Sequence, residues 1–131
     1  MTRARVARLA VVTTAAVVAF VLVRALTRED VTLPAPPPAI LGTWVTDDPR
    51  YAERAFVVRP DTIELYVGRG QALRHEILTI RESRAASFIV YEITYATTDG
   101  DTVLELLFYP DGFVRLEHPI DVRWVRGEPP R

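Results

Sequence analysis

From Ile40 onward the chain repeats with a period of two, and this constrains its fold more than any other feature. Apolar and polar residues alternate in short runs, turn residues interrupt them every 7–12 residues, and no ten-residue stretch carries a helical period. The runs 40–46, 54–59, 62–67, 72–81, 87–96, 102–109, 113–118 and 120–126 are the expected strands. Gly68-Arg69-Gly70, Asp99-Gly100 and Pro110-Asp111-Gly112 supply the backbone freedom that tight turns need. Every connection is short, and short connections join antiparallel neighbours. Eight such strands left open would expose two edges to aggregation, whereas closure removes both. The expected fold is therefore mainly β: a small up-and-down antiparallel β-barrel of about eight short strands. Between the first two strands, Asp48 is placed to cap and Pro49 to open one helical turn, which would lie across a mouth of the barrel.

The residues before Ile40 follow different rules. Arg3, Arg5 and Arg8 precede an uncharged run, 9–23, that Arg24 ends. Fifteen helical residues span only about 22 Å of a hydrocarbon core of about 30 Å. Snorkelling of Arg8 and Arg24 extends the usable stretch to 6–26. The basic residues gather on the N-terminal side, which keeps that end in the cytoplasm and sends the rest across. A cleaved signal peptide is the alternative, with Val23-Arg24-Ala25 as its cleavage site. The expected organisation is a signal anchor or transmembrane helix (1–26), a Pro-rich stalk (27–39), the barrel (40–126) and a short tail (127–131). Pro34, Pro36, Pro37 and Pro38 favour polyproline II in the stalk. The expected location is the cytoplasmic (inner) membrane, single-pass, with the barrel on the extracytoplasmic, periplasmic side.

Composition removes several function classes. The chain has no cysteine and two histidines, so disulfide, thiolate-metal and thiol-nucleophile chemistry is absent and a multi-histidine metal site has too few ligands. All 16 basic residues are Arg, with Lys and Asn both missing, which reads as a GC-rich coding bias rather than phosphate recognition. Between Ile40 and Arg126 ten Arg face fourteen Asp and Glu, a net charge of −4. A nucleic-acid partner, which needs a basic excess, is not expected.

The run Gly42-Thr43-Trp44 on the first strand, followed by the meander, resembles the calycin group of lipocalins and fatty-acid-binding proteins. The stretch 42–54, GTWVTDDPRYAER, is similar to small bacterial lipocalin-like domains of unassigned activity. The resemblance covers 40–126. It implies that Trp44 lies at the closed end of the barrel with an arginine from near the last strand packed over it. Arg123 and Arg126 are the candidates, Arg123 being favoured. It also implies either a small ligand cavity or an interior filled by side chains, since eight strands barely leave room for one small ligand.

No catalytic set emerges. His75 has no serine or cysteine placed to use it as a base, and His118 reads as a turn residue rather than a haem or metal ligand. Asp47-Asp48 and Asp99-Gly100-Asp101 read as capping and hairpin residues. Ile89, Tyr91, Ile93 and Tyr95 form an inward stripe. Phe88, Val90, Val103, Leu107 and Tyr109 make the opposite face unusually apolar, suited to a covering segment or a partner. The expectation is a non-catalytic binding module with no cofactor and no metal. It would hold a small apolar ligand through Trp44, Tyr91, Tyr95, Phe108 and Arg123, or contact an envelope protein. A structural subunit with a filled barrel is the alternative.

Overall fold

The computed structural model describes residues 30–130; the expected anchor, 1–26, lies outside the described residues, as does the start of the expected stalk. Nine strands follow in order: β1 (Val31–Leu33), β2 (Gly42–Val45), β3 (Arg54–Val58), β4 (Thr62–Gly68), β5 (Gln71–Arg84), β6 (Ile89–Thr97), β7 (Gly100–Phe108), β8 (Val114–Leu116) and β9 (Val125–Arg126). One 3₁₀ turn, Pro49–Tyr51, links β2 to β3, with the Asp48 side chain accepting from the Arg50 amide as its cap. All pairings are antiparallel, in the order β8-β7-β6-β5-β4-β3-β2-β9. Val114 and Trp124 then exchange two backbone hydrogen bonds, of 2.9 and 2.8 Å, which join β8 to the start of β9. The result is a nearly closed antiparallel barrel.

The turns behave as their residues require. Gly68, Arg69 and Gly70 all have positive φ, at 123°, 54° and 69°. Gly100, at φ 117°, closes the β6–β7 hairpin opposite Thr97.

Strand β5 bends the sheet. It pairs with β4 through Gln71–Glu76 and with β6 through Ile77–Arg84, and the register slips between Ile77 and Thr79. Leu78 is the extra residue, half exposed. A single inserted residue reverses which side chains point inward. Ile80, opposite Ile93, is therefore in the core although Leu73 and Ile77 have the other parity. Across the divergence of β5 from β6, His75 Nδ1 lies 3.0 Å from the Ala96 carbonyl, and its ring lies against Tyr95.

Two expectations need correction. The segment expected as a stalk, 27–39, belongs to the barrel from Asp30 onward. Val31–Leu33 pairs with β5 at Glu82, Arg81 and Ile80, and Asp30 forms a 2.9 Å ion pair with Arg81. Pro36 is buried and Ile40 is fully buried, so the prolines turn the chain across the end of the barrel instead of extending it into solvent. The last expected strand, 120–126, is also shorter. Pro119 lacks an amide donor, residues 118–121 form a turn, and regular pairing starts only at Trp124.

The core has Trp44, Phe56, Ile93, Leu106 and Trp124 at its centre. Removing side chains of this size from water contributes about 1.5–3 kcal/mol each. Trp44 stacks on Phe56 at 6.3 Å, and Phe56 meets Trp124 edge-on at 5.5 Å.

Candidate functional site

The two ends of the barrel differ. At the Gly42 end, the segment after β1, with Pro36 and Ile40 buried, leads back to β2 across the opening. Trp44 donates its Nε1 proton to the Ile40 carbonyl at 2.9 Å. Arg126 lies over the Trp44 ring at 4.8 Å and donates to the carbonyls of Leu41, Ala39 and Pro38. Gly42, at φ 113°, leaves room for this guanidinium; a Cβ there would lie 3.0 Å from Arg126 Nη1.

The arginine over the tryptophan is thus Arg126, and the preference for Arg123 is corrected. Parity along the strand is the reason. Trp124 points inward, so Arg126 shares its side and Arg123 does not. Arg123 instead covers Phe113 on the outer surface, at 4.0 Å. There Phe113 stacks on Tyr109 at 4.6 Å and Tyr109 packs on Phe88 at 5.3 Å. Arg115 adds a second cation near this ladder. The outward apolar residues read from the sequence thus include an aromatic ladder capped by arginines.

The opposite end is open. A pocket of about 340 Å³ lies among Tyr51, Phe56, Leu65, Leu104, Leu116 and Trp124, with Arg50 and Arg54 at its border. Alternation along β4, β7 and β8 brings Leu65, Leu104 and Leu116 to the same opening. The 3₁₀ turn supplies Tyr51, whose ring meets Trp124 at 6.2 Å. Arg50 bridges Asp48 and Asp121, each at 2.8 Å, and so ties this turn to the connection between β8 and β9. The Arg50 hydrogen bond holds the Asp48 carboxyl below its usual range. Arg50 and Asp121 are exposed, so the bridge positions the rim more than it stabilises the fold. Arg54 has no ion pair among the described residues.

Trp124 is the notable member of this wall. It is 3% exposed, yet its indole N–H has no hydrogen-bond partner. Among the described residues it is the buried side-chain polar atom left without one. Such a group costs about 1–3 kcal/mol.

The five expected ligand residues do not meet in one pocket. Trp44 is fully buried at the closed end, and Tyr91 and Tyr95 are buried in the wall. Burial raises the phenol pKa of both tyrosines, with the charge of Glu82 adding to the effect at Tyr91. Phe108 borders a second pocket, also about 340 Å³, near the β5–β6 turn, with Phe88, Ala86, Arg84 and Pro110. Arg123 is outside. The residues that surround the open mouth, above all Trp124, were not singled out from the sequence. The alternation of Val122, Trp124 and Arg126 is the signal that could have found them.

Outward-facing Glu64 is buried beneath two arginines, Arg59 at 3.0 Å and Arg74 at 2.7 Å, whose hydrogen bonds hold its carboxyl below the usual range. Among the described residues no group of three or more His, Cys, Asp or Glu is placed to hold a metal ion, and no helix is long and apolar enough to cross a membrane. The barrel, with its Gly42-Thr43-Trp44 strand and Arg126 over Trp44, is compatible with a lipocalin-like fold. No family model matches the chain, and no curated protein or solved structure matches it significantly.

Proposed function

We propose that this chain is a membrane-anchored, non-catalytic binding module that displays its barrel on the extracytoplasmic side of the inner membrane. Its ligand is a small, mostly apolar molecule carrying a hydrogen-bond acceptor, taken up at the open mouth. The observation that carries this reading is a pocket of about 340 Å³ lined in part by Trp124, whose indole N–H is buried without a partner. Pockets that hold small molecules are largely apolar, with a few polar groups that fix orientation. Leu65, Leu104, Leu116 and Phe56 supply the apolar lining here, and Trp124 supplies the donor. Arg54 at the border favours an acceptor that bears negative charge.

Native mass spectrometry of the full chain, released from mild detergent, tests the reading. A small-molecule adduct is expected, and Trp124→Phe should weaken it while leaving the fold intact. A bare chain that copurifies with an envelope protein would instead favour the structural-subunit role. An adduct that survives Trp124→Phe unchanged would move the site elsewhere.

A further inference from the structure

The way β1 joins the barrel fixes which end lies nearest the anchor. This inference rests on the anchor reading of residues 1–26 and goes beyond it. β1 runs antiparallel to β5, with Val31 opposite Glu82 and Leu33 opposite Ile80. The chain therefore reaches Val31 from the side toward which β5 ends and the β5–β6 turn projects. That turn begins at Ala85, three residues past Glu82, so it extends about 10 Å beyond Val31 at ~3.3 Å per residue. Only four residue steps separate Leu26, the end of the expected span, from Asp30. Fully extended they cover about 14 Å, and the headgroup layer they cross is itself about 5–8 Å deep. Asp30 is also pinned to the barrel by its ion pair with Arg81. The tether is too short to hold the whole barrel clear of the membrane.

We infer that the β5–β6 turn, with the neighbouring β7–β8 turn, seats on the lipid bilayer surface and that the open mouth points away from it. The surface chemistry suits this partner. Ala85, Ala86, Phe88 and Pro110 border an apolar depression of about 340 Å³. Arg84, whose side chain is 79% exposed and only loosely paired with Glu82 at 3.6 Å, stands beside it as a cation for lipid phosphate. The opposite end carries the β4–β5 and β6–β7 turns, with Arg69 and Asp99 at their tips.

The chain contains no cysteine, so single-cysteine reporters are clean. The full chain carrying Ser87→Cys, or Ala86→Cys as a second reporter, is labelled with an environment-sensitive fluorophore. It is then reconstituted into phosphatidylethanolamine–phosphatidylglycerol vesicles that contain a lipid-soluble quencher. Asp99→Cys is the comparison, and flotation with the vesicles is scored separately. The expected result is co-flotation, with blue-shifted, quenched emission at positions 86 and 87 and water-like, unquenched emission at position 99. Co-flotation with equal, water-like emission at both ends overturns the seating while leaving the anchor in place. Quenching at position 99 alone overturns it by reversing the orientation. A chain that fails to float refutes the anchor, and the seating with it.

Discussion

Replacing Arg126 by Ala should weaken the barrel far more than replacing Arg123 by Ala, although both are exposed arginines of the same terminal segment. Arg126 covers the Trp44 ring at 4.8 Å, a cation–π contact that contributes about 0.5–1 kcal/mol at an exposed position. It also donates to the carbonyls of Pro38, Ala39 and Leu41, the segment that closes this end of the barrel. Water replaces part of these bonds once the side chain is gone, so they are taken near the lower end of the usual range, at about 0.5–1 kcal/mol each. The total for Arg126→Ala is then roughly 2–4 kcal/mol. Arg123 offers its contact with Phe113 at 4.0 Å, and its removal should cost no more than about 1 kcal/mol. For a barrel of this size each kcal/mol is about 4–8 °C in Tm, so the two variants should be separated by roughly 10 °C. Thermal melts of the segment 30–131, followed by near-ultraviolet circular dichroism of its tryptophans, read this difference. Arg126→Lys should fall between wild type and Arg126→Ala, because a lysine keeps the charge but loses the planar fork that serves several carbonyls. Equal losses at the two arginines, or the larger loss at Arg123, would refute the closing role given to Arg126.

Three further outcomes follow from the same geometry. Gly42→Ala should cost about 1–3 kcal/mol, because φ 113° strains any L side chain and the new Cβ would press on Arg126; a melt unchanged from wild type would count against it. Glu64 has its folded pKa lowered by Arg59 and Arg74, so its stabilising contribution is full above about pH 4.5 and is lost as the pH falls through the lowered value. Glu64→Gln should accordingly flatten the acid side of a stability-against-pH curve measured by urea unfolding, whereas parallel curves would show that the cluster contributes nothing. Finally, the amides of Val114 and Trp124 should exchange with deuterium as slowly as those in the middle of β6, because they bond each other across the seam; rapid exchange at both would mean an open sheet.

Much of the barrel was legible in the sequence because alternation and turn chemistry are local signals. Pro110-Asp111-Gly112 and Gly68-Arg69-Gly70 announce turns from their own residues, and the Asp48-Pro49 cap announces the 3₁₀ turn. The elements that were misread depend on distant partners. Val31-Thr32-Leu33 has strand-forming residues, but four nearby prolines dominate the composition, and only the free edge of β5 beyond β4 gives those residues a place to pair. The bulge at Leu78 left a visible trace in the unequal spacing of Leu73, Ile77 and Ile80, which no regular strand would place on one face. The choice between Arg123 and Arg126 turns on the parity of the last strand, which Trp124 fixes by pairing with Val114. The open mouth was legible only in its 3₁₀ turn and in the alternation around Trp124. It combines side chains from the 3₁₀ turn, β3, β4, β7, β8 and the stretch before β9, and a pocket between elements is a property of their spacing, not of any one run.

Nitrogen-15 NMR of the indole groups addresses the ligand mouth without ambiguity, because the chain has two tryptophans in opposite situations. Trp44 Nε1 already donates to Ile40, at 2.9 Å, while Trp124 Nε1 has no acceptor. Titration with a medium-chain alkyl carboxylate should move the Trp124 indole signal downfield as its proton gains an acceptor, and the Trp44 signal should stay in place. If the Trp124 signal is unmoved at saturating carboxylate, or if the Trp44 signal moves in its stead, the mouth is not the binding site.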